Sequence, residues 1–90
     1  KSRRKPVREA LELGPDDLQL FEKLRELRKR LADERGVPPY VIFGDAALIE
    51  MCRRRPGNET EFLEISGVGQ VKLERHGEAF LHTIAAADNA

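Results

Sequence analysis

Few side chains in this 90-residue chain can do covalent chemistry: His76 and His82, one cysteine, Cys52, and two serines, Ser2 and Ser66. The two histidines stand six apart on one predicted helix, so they face different directions and miss the spacing of a zinc pair. Neither serine has a base and an orienting partner at recognisable spacing. No phosphate-cradling GxxxxGK[ST] or GxGxxG string occurs. A lone cysteine can form no internal disulfide and no thiolate metal site, and it reads as a small buried apolar group. Glu59 and Glu61 read as the acidic first turn of a helix, which the helix dipole favours. An enzyme reading therefore has no residues to stand on, and no cofactor or metal is expected.

Binding chemistry has better candidates. The string Ile65-Ser66-Gly67-Val68-Gly69-Gln70-Val71-Lys72 brackets one apolar residue with two glycines and then opens a helix carrying a lysine. Gly67 and Gly69 permit a tight turn whose uncovered amides can seat a phosphate, with Lys72 assisting; the same turn can equally be a plain connection between helices. Tyr40, the single tyrosine, follows Pro38-Pro39 and can offer a rigid face on which any base stacks, or can pack its ring and expose only its hydroxyl. Arg35 and Lys29, with Arg28 and the Arg53-Arg54-Arg55 run, are the cations available for phosphates, although an arginine run at a helix end also simply complements the dipole.

These residues need elements to hold them. Gly14-Pro15-Asp16-Asp17 opens a helix, since proline suits a first-turn position without an amide partner and the acids favour its positive end. Leu20, Leu24, Leu27 and Leu31, widened by Phe21, form its buried stripe. Gly36 ends it and the prolines prevent its resumption. Tyr40 to Phe43 is then a turn of helix or an extended segment on the core. Asp45 is expected to cap the next helix, where Leu48, Met51 and Cys52 face inward until Arg55-Pro56. Asn58 and Glu61 resemble a capping box, opening a short helix with Phe62, Leu63 and Ile65 inward. After the glycine turn a last helix runs from about Gln70 toward Ala87, with Leu73, Gly77, Phe80 and Ile84 inward. On that stripe Gly77 would allow a neighbour to approach closely, or mark a bend.

Length allows one small domain. Apolar residues at 40% and charged residues at 36% fit a charge-rich helical domain. The net charge of zero conceals an asymmetry: residues 1–8 hold five basic residues and no acid, leaving 11 bases against 16 acids in the remainder. The expected organisation is a basic linker over 1–14, a helical domain over 15–87 and a frayed tail over 88–90. The leader reads as a solvated tail or as a phosphate clamp. An acidic domain is no indiscriminate polyanion binder, so any DNA contact must be local. No apolar run can span a bilayer and none resembles a secretory signal, which predicts an intracellular protein.

The string LRELRKRLADERGVPPYVIFGDAALIEM, followed by RRRP and EFLEISGVGQVKLERHGEAFLHTI, resembles the HRDC domain of bacterial RecQ-type DNA helicases over about residues 18–85. Ribonuclease D proteins contain related domains, but VPPYVIFGD is more like the helicase form. The resemblance implies an all-α, compact bundle of about five helices with a helix-hairpin-helix-like Gly-Val-Gly turn. It implies a non-catalytic accessory domain that binds single-stranded or branched DNA weakly and tunes the substrate selectivity of an ATP-dependent 3'-5' helicase in the bacterial cytoplasm. Tyr40 and Arg35 occupy the connector that the family associates with DNA, and Lys72, Gly67 and Gly69 match its hairpin. Gly44, Ala47 and His76 depart from the family pattern, which bears on the contact surface more than on the fold. Some relatives act through protein contacts, so docking on the helicase core or a partner is the alternative.

Overall fold

The computed structural model describes residues 12–88, and these contain helices and turns but no strand. Residues 1–11 of the expected 1–14 linker and residues 89 and 90 of the expected 88–90 tail lie outside the described residues, while Asp88, expected to fray, is the last residue of the final helix. Helix α1, Pro15–Arg35, starts as expected with proline in its first turn and Asp16 and Asp17 at its positive end. Its stripe buries Leu20, Phe21, Leu24, Leu27 and Ala32, while Leu31 is only half-buried against the core. Leu13, just before it, also packs against the core.

Gly36 closes α1 at φ 70°, ψ 34°, a left-handed conformation that costs a residue with a β-carbon. The Gly36 amide donates to the Asp33 carbonyl at 3.2 Å and the Val37 amide to that of Ala32 at 3.0 Å. This double bond is the Schellman closure. Helix α2, Pro39–Ile42, is one turn, and Phe43 leaves it in an extended conformation.

Helix α3, Asp45–Arg54, buries Ala47, Leu48, Ile49, Met51 and Cys52. Its N-cap is Gly44, which has no side chain to offer, so the expectation that Asp45 caps this helix is corrected. The Asp45 carboxylate instead reaches Arg28 at 2.8 Å. Arg55 ends α3 at φ 47°, and its guanidinium lies 2.8 Å from Asp17, tying the end of α3 to the start of α1.

Helix α4, Glu59–Phe62, is capped by Asn58, whose side-chain oxygen accepts from the Glu61 amide at 2.9 Å. The Glu61 carboxylate closes on the Gly57 amide at 2.7 Å, one residue earlier than the reciprocal bond of a capping box. Phe62 and Ile65 are buried, but Leu63 is 38% exposed, contrary to the expectation that all three turn inward.

The last helix comprises α5, Gln70–Lys72, a π-helical segment, Leu73–Gly77, and α6, Glu78–Asp88. Both junction residues, Leu73 and Glu78, keep right-handed helical angles, so the three pieces form one rod and the described residues make five helices. Gly77 marks the irregularity: a β-carbon there would lie 2.6 Å from Leu73 Cδ1 and 3.8 Å from Phe62 Cδ2. The room is therefore taken chiefly by Leu73 of the same helix, with α4 behind it.

Phe43 centres the core. Its ring stands edge-on to Phe62 at 5.9 Å, Phe80 at 4.9 Å and His76 at 6.2 Å. The connector after α1, the short α4 and the last helix thus meet on one side chain.

Candidate nucleic-acid interface

The twin prolines decide where Tyr40 points. Pro38 is extended (φ −64°, ψ 152°) and Pro39 begins α2, so the single turn has a defined start. Successive side chains on a helical turn rotate by about 100°. Ile42 and Phe43 go fully into the core, while Tyr40 is 71% exposed. Of the two readings open in the sequence, the outward ring is the one adopted. Val41 beside it is also exposed.

Arg35, at the end of α1 and exposed, reaches across to the last helix: its Nη1 lies 3.4 Å from His76 Nε2. A guanidinium can only donate, so Nε2 is the acceptor and the imidazole proton sits on Nδ1. His76 is buried. Burial first, then the charges of Arg35, Arg75 and Lys72, hold its pKa below the usual histidine range. Lys72, one helical turn before it, places Nζ 5.5 Å from the centroid of the Phe43 ring, a cation–π distance. Phe43 therefore has Lys72 and His76 against it together.

Lys29 is exposed and bonded to Asp33 at 3.0 Å. It lines a groove beside Pro39 with Glu22, Arg25, Glu26, Arg28 and Asp33, so its surroundings carry both signs of charge. Arg28 is corrected as a phosphate partner: it is 6% exposed and its Nη1 serves Asp45 at 2.8 Å and the Phe43 carbonyl at 3.0 Å. The Arg53-Arg54-Arg55 run is also divided. Arg54 bonds Glu50 at 2.9 Å, and Arg55 is half-buried against Asp17.

At the glycine turn, Gly67 takes φ 87° and Val68 is buried. Gly69 is the N-cap of the last helix, with no atom within 4 Å of where its β-carbon would be, so its backbone is open to approach. The Ser66 amide already donates to the Glu50 carboxylate at 3.0 Å, which places an acid beside this turn.

The structure thus sets Lys72 and His76 against Phe43, three residues after Tyr40, brings Arg35 onto His76, and leaves Lys29 at the mixed-charge groove by Pro39. In the sequence His76 stands only as an unpaired zinc candidate and as a departure from the family pattern, with no partner assigned to it. Its place three residues after Leu73 and four before Phe80, on the edge of the buried stripe, was the signal that it meets another element. Cys52 is buried, and desolvation above all, then the Asp17 charge, pushes its thiol pKa up to about 12. A thiol so protonated is a packing group. No described helix is long and apolar enough to cross a membrane.

The HRDC domain family model matches residues 17–84. The chain is 48% identical over 68 residues to the ATP-dependent DNA helicase RecQ of Haemophilus influenzae, covering 76% of this chain and 11% of that protein. It is 45% identical over 83 residues to the ATP-dependent DNA helicase RecQ of Bacillus subtilis, covering 92% of this chain and 14% of that protein. The solved D. radiodurans RecQ HRDC domain 3 superposes with a TM-score of 0.79 at 34% identity, over 82% of this chain and 97% of that one. The chain therefore spans only about a tenth to a seventh of the length of these two helicases.

Proposed function

The chain belongs to the HRDC domain family, and on that footing we propose that it is a non-catalytic accessory domain of a RecQ-type DNA helicase that holds single-stranded or branched DNA weakly and tunes which substrates the helicase engages. One observation carries this reading: the only tyrosine stands 71% exposed on a proline-fixed turn. Such a ring stacks on any base without reading sequence, as an accessory contact to unwound strands requires. Arg35 and Lys72 neutralise the adjoining phosphates, and Lys29 contributes from the groove side. The turn at Gly67 and Gly69 is a further backbone contact, weakened by the neighbouring Glu50. ATP hydrolysis and unwinding belong to the catalytic core of the parent protein, a bacterial cytoplasmic helicase.

Titration of labelled oligothymidylate into the 90-residue chain at low salt tests it. Weak binding that falls with added salt and drops about tenfold in Tyr40→Ala supports the reading. Binding indifferent to both, or none, overturns it.

A second reading rests on charge. Outside residues 1–8 the chain carries 16 acids against 11 bases, which suits docking on a basic face of the helicase core or of a partner protein. Comparing the ATPase activity and DNA selectivity of the parent with and without this domain separates the two. A change in selectivity without direct DNA binding by the domain favours docking.

A further inference from the structure

His76 is a buried titratable group that neither packing nor catalysis explains by itself, since a phenyl ring would fill the same place against Phe43. Its imidazole differs from a phenyl ring in having a lone pair, and that lone pair accepts from Arg35 Nη1 across 41 residues of chain at 3.4 Å. An arginine at a helix terminus has many rotamers, and an anion that binds it must freeze them. A neutral acceptor with one of its two nitrogens turned to the guanidinium holds one edge of the fork and leaves the other donors available. A carboxylate in the same place would hold Arg35 as well, but would cancel its charge. The charges acting on His76 are Arg35 from α1 and Lys72 and Arg75 from its own helix, all of them cationic, while the connector presents only the Phe43 ring.

We propose that Arg35 and Lys72 form one seat for a phosphodiester anion around His76, with His76 as the positioning residue that holds the Arg35 fork ready. This rests on the DNA-binding reading and supplies its backbone contact, with Tyr40 supplying the base contact. A proton linkage follows. Burial first and the neighbouring cations second lower the His76 pKa; an anion seated among these cations offsets the second of these, so His76 binds a proton more readily in the complex than in the free domain. A protonated ring no longer accepts from Arg35 and adds a third cation to the seat.

The test follows the His76 ring resonances by NMR against pH in the 90-residue chain, alone, with sodium sulfate and with oligothymidylate. Either anion is expected to raise the His76 midpoint by about half a pH unit, equal to about a threefold gain in affinity on acidification through that range. His82 is an internal control on the exposed side of the same helix. In His76→Phe, which keeps the ring against Phe43, oligothymidylate affinity should fall about fivefold near neutral pH and lose this pH dependence. In His76→Gln, which keeps an acceptor, affinity should stay within about twofold of the original.

Oligothymidylate binding that leaves His76 unmoved, or that His76→Phe does not weaken, overturns the seat while the DNA reading stands. A sulfate response at His76 without oligonucleotide binding keeps the anion seat and rejects the DNA reading. No His76 response to either anion, together with no oligothymidylate binding, overturns both.

Discussion

Arg28 and Asp45, 2.8 Å apart, form a largely buried ion pair that joins α1 to the start of α3. The same guanidinium nitrogen donates to the Phe43 carbonyl at 3.0 Å, so one side chain secures the chain on both sides of Gly44. Nε of Arg28 has no hydrogen-bond partner among the described residues, which leaves this arginine dependent on the groups it does hold.

Removing one partner should therefore be costly. Asp45→Ala strands a buried charge and is expected to destabilise the domain by about 3 kcal/mol in urea unfolding. Arg28→Met, which restores apolar volume, should cost less in the Asp45→Ala background than alone. Additive losses in the double-mutant cycle would show that the pair is not coupled.

Tyr40 and Lys72 should separate in salt dependence. A single-strand contact contributes a slope of about −0.7 in log affinity against log salt for each phosphate neutralised. Lys72→Ala is expected to flatten the slope by about that amount. Tyr40→Ala should lower affinity at every salt concentration and leave the slope unchanged, with stability within about 0.5 kcal/mol of the original because the ring is exposed. Equal slopes in all three proteins would remove Lys72 from the contact.

The buried thiol of Cys52 gives a prediction at alkaline pH. Its folded pKa, pushed up to about 12, lies above the value of about 8.5 expected for the unfolded chain. The folded state then keeps a proton that the unfolded state loses. Its contribution to stability is constant below about pH 8.5 and falls at higher pH by up to about 1.4 kcal/mol per unit. Chemical unfolding of the original chain and of Cys52→Ala between about pH 8 and pH 10 should show the steeper decline in the original. Near neutral pH a thiol reagent should label Cys52 only as fast as the domain opens.

Gly36 offers a backbone test. Placing a β-carbon at φ 70° should destabilise Gly36→Ala by about 1 kcal/mol, with no change in side-chain contacts because nothing lies within 4 Å of the added atom. A thermal melt unchanged from the original would mean that the Schellman closure tolerates alanine there.

Most element boundaries were legible in the residues alone. Proline at the start of α1, glycine at its end, twin prolines before α2, Arg55-Pro56 after α3 and Asn58 before α4 act through backbone sterics and hydrogen bonds within one turn, so they are legible locally. The leucine stripe of α1 was legible for the same reason, since a helix brings positions three and four apart onto one face. Tertiary structure decided the site. Arg28, Lys29 and Arg35 are equivalent as letters, yet packing draws Arg28 inside to a partner 17 residues away, leaves Lys29 on a neighbour four residues away, and sends Arg35 to His76, 41 residues on. The direction of the Tyr40 ring, the release of Asp45 from capping and the neutral histidine against an arginine belong to the same class. Each depends on which distant surfaces meet as the core closes around Phe43, and burial there sets the solvation of every charge it touches.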